Sequence, residues 1–212
     1  MKRLIVIILP FFILSLALSQ NVNHTGCEFL KRIEFNLIAQ EAVYNLDSKG
    51  DREKLFFGDF NAPVEFFHEA FYHRGISGFR VVRDSLEKSY ILEVKYISNL
   101  ERIRRFNPGS LPYEIASLSF PISKQFAKKL HETTALFIRN FRGRGIPGGC
   151  LGGYTVTFRT VVDYEVWSLW IHLPQGEALR MANLYKQIIE DAQNGQLNEE
   201  KYKSVLSTFG GE

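Results

Sequence analysis

From Ser123 to Phe141 the side chains alternate at helical spacing. Phe126, Leu130, Thr134, Phe137 and Phe141 form one stripe with Ala127 and Ile138 beside it, while Lys128, Glu132 and Arg139 fall on the far side. That period predicts an amphipathic helix with Ser123 as its cap. A second such helix follows Pro174-Gln175-Gly176 and runs to Asn194, with Met181, Leu184, Tyr185, Ile188 and Ala192 on one side and Gly195 as the stop residue. Asn198 caps a last short helix to about Leu206. Near the other end, Phe29, Ile33, Leu37 and Tyr44 predict a helix from Cys27 to about Leu46, apolar on both sides because Phe35, Ile38 and Ala42 lie opposite.

Between these segments the period changes to two. Phe79–Arg83 and Tyr90–Ile97 read as a hairpin, and Tyr90, Leu92, Val94 and Tyr96 share one face of its second strand. Leu55–Phe57 and Val64–Phe67 are rich in strand formers and read as extended. Asn99–Arg105 reads as a short basic helical turn, Ile115–Ile122 as a strand with Pro121 near its end, and Tyr154–Asp163 with Val166–Leu173 as a second hairpin. Val166–Leu173 is apolar on both faces, which predicts a strand covered on both sides. Helices and hairpins follow one another without regular strand–helix alternation. The expected fold is therefore α+β: a mostly antiparallel sheet built from hairpins, with amphipathic helices packed on one face.

The first nineteen residues follow neither period. Lys2 and Arg3 precede an unbroken apolar run from Leu4 to Leu14, and Ala17-Leu18-Ser19 closes the segment before Gln20. This is the pattern of a secretory signal peptide, too short for a stable membrane span. The expectation is a leader over 1–19 and one globular domain over 20–212, exported to the periplasm or the medium, with no transmembrane span in the mature chain. Hydrophobic residues make up 45% of the chain and it holds 18 Phe and 9 Tyr, enough to build a large aromatic core. Loss of Lys2 and Arg3 leaves 24 basic against 23 acidic side chains, so nothing global points to nucleic acid.

Local charge is less even. Arg102, Arg104, Arg105, Lys124, Lys128, Lys129, Arg139, Arg142 and Arg144 stand against three Glu between Asn99 and Gly145. They read either as an ordinary solvated helix surface or as a basic patch for lipid headgroups, acidic polysaccharides or acidic protein surfaces. The two cysteines, Cys27 and Cys150, read either as a disulfide closing a long loop or as two separate thiols packed as small hydrophobes.

Few residues suggest chemistry. The glycine run Gly143–Gly153 surrounds Cys150, yet it lacks the Lys-Ser/Thr ending of a phosphate loop and precedes a strand, which excludes nucleotide binding. Catalysis by Cys150 needs His131 or His172 as its base, and no local spacing brings either one close. His68 and His73 are five apart, so they face opposite sides of a strand, or sit about 140° apart on a helix. Neither geometry makes a metal site, and no metal or cofactor is expected. The second hairpin offers more. With a three-residue turn, Phe158 faces Trp170 and Val156 faces His172 on the side of Tyr154, while Arg159 meets Leu169 on the other. Tyr154, Phe158, Arg159, Trp167, Trp170 and His172 are then either core or an aromatic strip able to stack on sugar rings or grip a peptide.

The run Gly153 to Pro174 with its following helix, and Tyr90–Asn99, resemble segments of small exported bacterial proteins of uncharacterised families. That resemblance implies a bacterial, envelope-exported source and transfers no activity. The sequence leaves a non-catalytic binding domain for an envelope component, glycan or protein as the leading expectation. The alternatives are a small periplasmic hydrolase using Cys150 or a His–carboxylate pair, and an inhibitor or immunity-type partner of a secreted toxin.

Overall fold

Alternation along Val64–Ala70 sends Val64, Phe66 and His68 to one side and Glu65, Phe67 and Glu69 to the other, and the whole molecule is organised around this strand. The computed structural model describes residues 22–23, 27–30, 56, 62–70, 75–83, 89–106, 111–142, 153–162 and 165–209. Its strands are β1 (Val22–Asn23), β2 (Cys27–Leu30), β3 (Val64–Ala70), β4 (Gly75–Arg83), β5 (Tyr90–Ile97), β6 (Ile115–Ile122), β7 (Tyr154–Val162) and β8 (Glu165–His172). Its helices are α1 (Leu100–Arg105), α2 (Lys124–Asn140), α3 (Gly176–Gln193) and α4 (Glu199–Leu206). The strands form one sheet in the order β1-β2-β8-β7-β3-β4-β5-β6, and every neighbouring pair is antiparallel. The fold is α+β, with α2, α3 and α4 on one face.

Two local expectations at the amino-terminal side change. Cys27–Leu30 is not helical but pairs with Ser168–Ile171 along the edge of β8, because an open strand edge satisfies its backbone donors and acceptors as fully as a helix would. Phe56 is helical, not extended. The remainder of the expected Cys27–Leu46 helix, and Cys150, lie outside the described residues.

The helix-side core is built from rings. Phe66 lies 5.2 Å from Phe158, 5.9 Å from Phe79 and 5.2 Å from Tyr185, edge-on to the last. Tyr185 of α3 thus spans three strands, and its hydroxyl meets Thr134 Oγ1 of α2 at 2.5 Å. Full burial without that partner would leave a polar atom stranded; with it, the two helices are bound to each other. Burial pushes the Tyr185 phenol pKa up.

The α2 stripe is buried as its spacing requires, and the Ser123 hydroxyl accepts from the Phe126 amide at 3.1 Å. The same residue meets Glu199 at the start of α4: its backbone N–H donates to the carboxylate at 3.0 Å and its hydroxyl donates to the other oxygen. Tyr202 of α4 stacks on Phe126, and its hydroxyl donates to Asp191 of α3. Three helices are therefore joined through the first half of α4.

The opposite face is also covered at its centre. Phe67 packs edge-on against Phe56 at 5.2 Å, within a second cluster that includes Ile76 and Ile97. Beside that cluster a charged row crosses the sheet at one register: Arg159 of β7, Glu65 of β3, Arg80 of β4 and Glu93 of β5 are successive cross-strand neighbours. Arg159 Nη1 donates to Glu65 Oε2 at 3.0 Å with both residues 2% exposed, and Arg80 Nε donates to Glu93 at 2.5 Å. Opposite charges in direct cross-strand contact neutralise one another where water is excluded.

Candidate functional site

A polar opening lies where β3, β4 and β5 end beneath the second half of α3. A cleft of about 220 Å³ opens there, lined by His68, Ser77 and Tyr96 of the strands and by Lys186, Ile189 and Glu190 of α3; Ile76 and Ile97 border it, but their side chains belong to the cluster on the opposite face. The sheet register explains the grouping. His68 is directly opposite Ser77, and Ser77 directly opposite Tyr96, so the three share the helix-side face at one level. Lys186, Ile189, Glu190 and Gln193 recur at helical spacing along α3 and face the same space.

His68 is 8% exposed and makes no hydrogen bond to any described residue. Its ring lies 5.1 Å from that of Tyr154, and the Lys186 ammonium sits 5.3 Å from the same Tyr154 ring. Burial, reinforced by the positive charge of Lys186, lowers the imidazole pKa from 6.5 to about 4. His68 is therefore neutral at physiological pH, one ring nitrogen a donor and the other an acceptor. Burial also raises the Tyr154 phenol.

Tyr154 itself is held at the open end of the β7–β8 hairpin. The Leu173 amide donates to the Tyr154 carbonyl at 3.0 Å, and Leu173 adopts φ 48, unusual outside glycine. Gly153 beside it has φ +96, and a Cβ there would stand 2.3 Å from Leu173 Cδ2. Only glycine fits that corner.

The expected aromatic strip is corrected by its register. Val162 pairs with Glu165, leaving two residues between the strands instead of three. Phe158 therefore faces Leu169, Val156 faces Ile171, Arg159 faces Ser168, Thr157 faces Trp170 and Thr155 faces His172. A shift of one residue exchanges sheet faces. Tyr154, Phe158 and Trp167 thus belong to the helix side, and Phe158 is fully buried within the ring cluster. Trp170 and His172 occupy the other face, stacked with ring centroids 6.3 Å apart. Burial lowers the His172 pKa, and Arg159 is committed to Glu65. No single surface contains all six residues.

The basic residues are distributed over separate elements. Arg102, Arg104 and Arg105 are on α1, and Arg102 meets Glu114 at 3.5 Å. Lys128 and Arg139 are on α2, and Lys128 meets Glu132 one turn away. Arg142 donates to the carbonyls of Arg139 and Phe141, closing the exposed end of α2 where the helix dipole is negative. Arg144 lies outside the described residues. Among the described residues, no group of three or more His, Cys, Asp or Glu side chains is placed to hold a metal ion, and no helix is long and apolar enough to cross a membrane.

No protein-family model, curated protein or solved structure matches this chain. The cleft must be interpreted from its own chemistry.

Sequence reasoning considered His68 only as half of a metal pair, and Tyr96 only as a strand residue. Lys186 and Glu190 carried no signal beyond the polar side of a helix. Their convergence depends on how α3 crosses the strand ends.

Proposed function

We propose that this chain is an exported, non-catalytic binding domain of the bacterial envelope, and that the cleft between α3 and the ends of β3, β4 and β5 is its ligand seat. The observation carrying this reading is the cleft's mixed lining. A buried neutral imidazole, two hydroxyl groups, a cation and a carboxylate line the cleft beside the apolar Ile189, the composition of a site that orients a small polar group. Its volume of about 220 Å³ is below the roughly 300–1,000 Å³ of sites for drug-sized ligands, and suits one sugar ring or a comparably small group of an envelope glycan.

Binding is favoured over hydrolysis on two grounds. No hydrogen bond joins His68 to Ser77 or to Glu190, so the cleft holds no assembled nucleophile–base or base–carboxylate pair. An imidazole with a pKa of about 4 is also a weak general base at neutral pH. Export rests on the charged start and apolar run of residues 2–14.

The test is to block the cleft. Gln193→Cys on its rim, labelled with a bulky maleimide, is applied to an array of envelope saccharides beside the unsubstituted protein given the same treatment. Loss of saccharide binding only in the labelled variant supports the seat. Undiminished binding with the cleft filled refutes it. Recovery of the intact amino terminus from the cytosol would refute the export half of the proposal.

A further inference from the structure

Lys186 of α3 faces the cleft. It is half-buried at the cleft, its ammonium rests against the Tyr154 ring, and no carboxylate of a described residue lies within 4.0 Å of it. Arg80, Arg102, Lys128, Arg159, Lys201 and Lys203, by contrast, each meet a carboxylate within the fold. Next to Lys186 is His68, more than nine-tenths buried, facing the cleft and without a hydrogen bond. The two are close enough for one charge to act on the other.

We infer that the cleft takes a carboxylate-bearing ligand, one oxygen on the Lys186 ammonium and the other accepting the His68 ring N–H. The inference rests on the cleft being the binding seat. A cationic ligand would meet Lys186 as a like charge, and a neutral one would leave the ammonium partly desolvated without a counter-charge. A carboxylate supplies that charge and accepts from both groups at once. Glu190, exposed one helical turn beyond Lys186, sets a second requirement. It repels the carboxylate from the rim and accepts from a ligand hydroxyl, which fixes the direction of entry. The ligand class is a small hydroxycarboxylate whose carbon body lies against Ile189 of α3. It can be a free hydroxy acid or the uronate unit of an acidic saccharide.

The experiment is an NMR titration of histidine-labelled full-length chain with D-glucuronate, D-glucose, L-lactate and an oligoglucuronate. The expected result is a saturable displacement of the His68 ring resonances by glucuronate and little by glucose. Lys186→Met should weaken glucuronate by about tenfold or more, as loss of a charge-assisted hydrogen bond implies, while Lys186→Arg retains most of the affinity. Lys186 is not part of the buried core, so amide spectra of the variants verify that the fold is intact. Oligoglucuronate binding more tightly than lactate assigns the saccharide source, and the reverse assigns a free acid; both support the carboxylate class. Glucose binding as well as glucuronate at His68, or an unchanged glucuronate affinity in Lys186→Met, overturns the carboxylate class and leaves the seat standing. Silence of His68 toward all four probes, together with undiminished saccharide binding after the cleft is blocked, overturns both.

Discussion

Replacing His68 with Phe tests the electrostatics of the cleft in one measurement. The native imidazole has a pKa of about 4 instead of 6.5, because burial and Lys186 both disfavour its charged form. Unfolding returns it to water and to its ordinary value. Between pH 6.5 and about 4 the unfolded chain therefore holds a proton that the folded chain lacks, and stability falls as the pH falls. At about 1.4 kcal/mol per pH unit, the full depression amounts to roughly 3 kcal/mol. For a domain of this length that corresponds to about 6–12 °C in Tm.

His68→Phe keeps a ring against Tyr154 but cannot titrate. The assay is urea unfolding of both proteins from pH 7.5 to pH 4, read as midpoints with m checked for constancy. The wild type should lose roughly 3 kcal/mol more than the variant across that interval, most of it below pH 6.5. His172, whose pKa burial also lowers, contributes to both curves and cancels in the difference. Parallel curves would refute the placement of a buried neutral imidazole at this position.

Three further outcomes follow from the packing. Arg159→Met removes the 3.0 Å ion-pair partner of the buried Glu65 carboxylate and should cost on the order of 3 kcal/mol, whereas Arg159→Met with Glu65→Leu should recover most of that loss in a denaturant cycle. Gly153→Ala combines a left-handed φ with a clash against Leu173 and should cost on the order of 1–3 kcal/mol. Gly176→Ala, at φ +56 with nothing near its Cβ, should cost less, so comparing the two melting temperatures separates clash from strain. Ser123→Ala removes both the α2 cap and a bond to Glu199 and should lower stability by about 1–2 kcal/mol, measurable as a drop in Tm.

The helices were legible residue by residue. The α2 stripe from Phe126 to Phe137, the α3 stripe from Met181 to Ala192, and the caps Ser123 and Asn198 all stand where the sequence puts them. So do β5 and β6, down to Pro121 near the outer end of an edge strand, where the missing donor costs no ladder bond. The strip on the second hairpin was not legible, because its composition fits either register and the turn length alone selects the face. Cys27–Leu30 misled for a related reason: Phe29 and Leu30 serve a helix or a strand equally well, and the exposed side of β8 made pairing available.

By itself the sequence determined the fold class, because the periods 3.6 and 2 are local consequences of backbone geometry and survive in any arrangement that buries the apolar side. Only the tertiary structure decided where polar groups meet. His68, Ser77, Tyr96 and Lys186 span more than a hundred positions of the chain, and cross-strand register with the passage of α3 over the strand ends brings them together. Arg159 and Glu65, 94 positions apart, became a buried pair through the same register. Such encounters have no period along the chain, because they arise from long-range pairing and not from the conformation of any one segment.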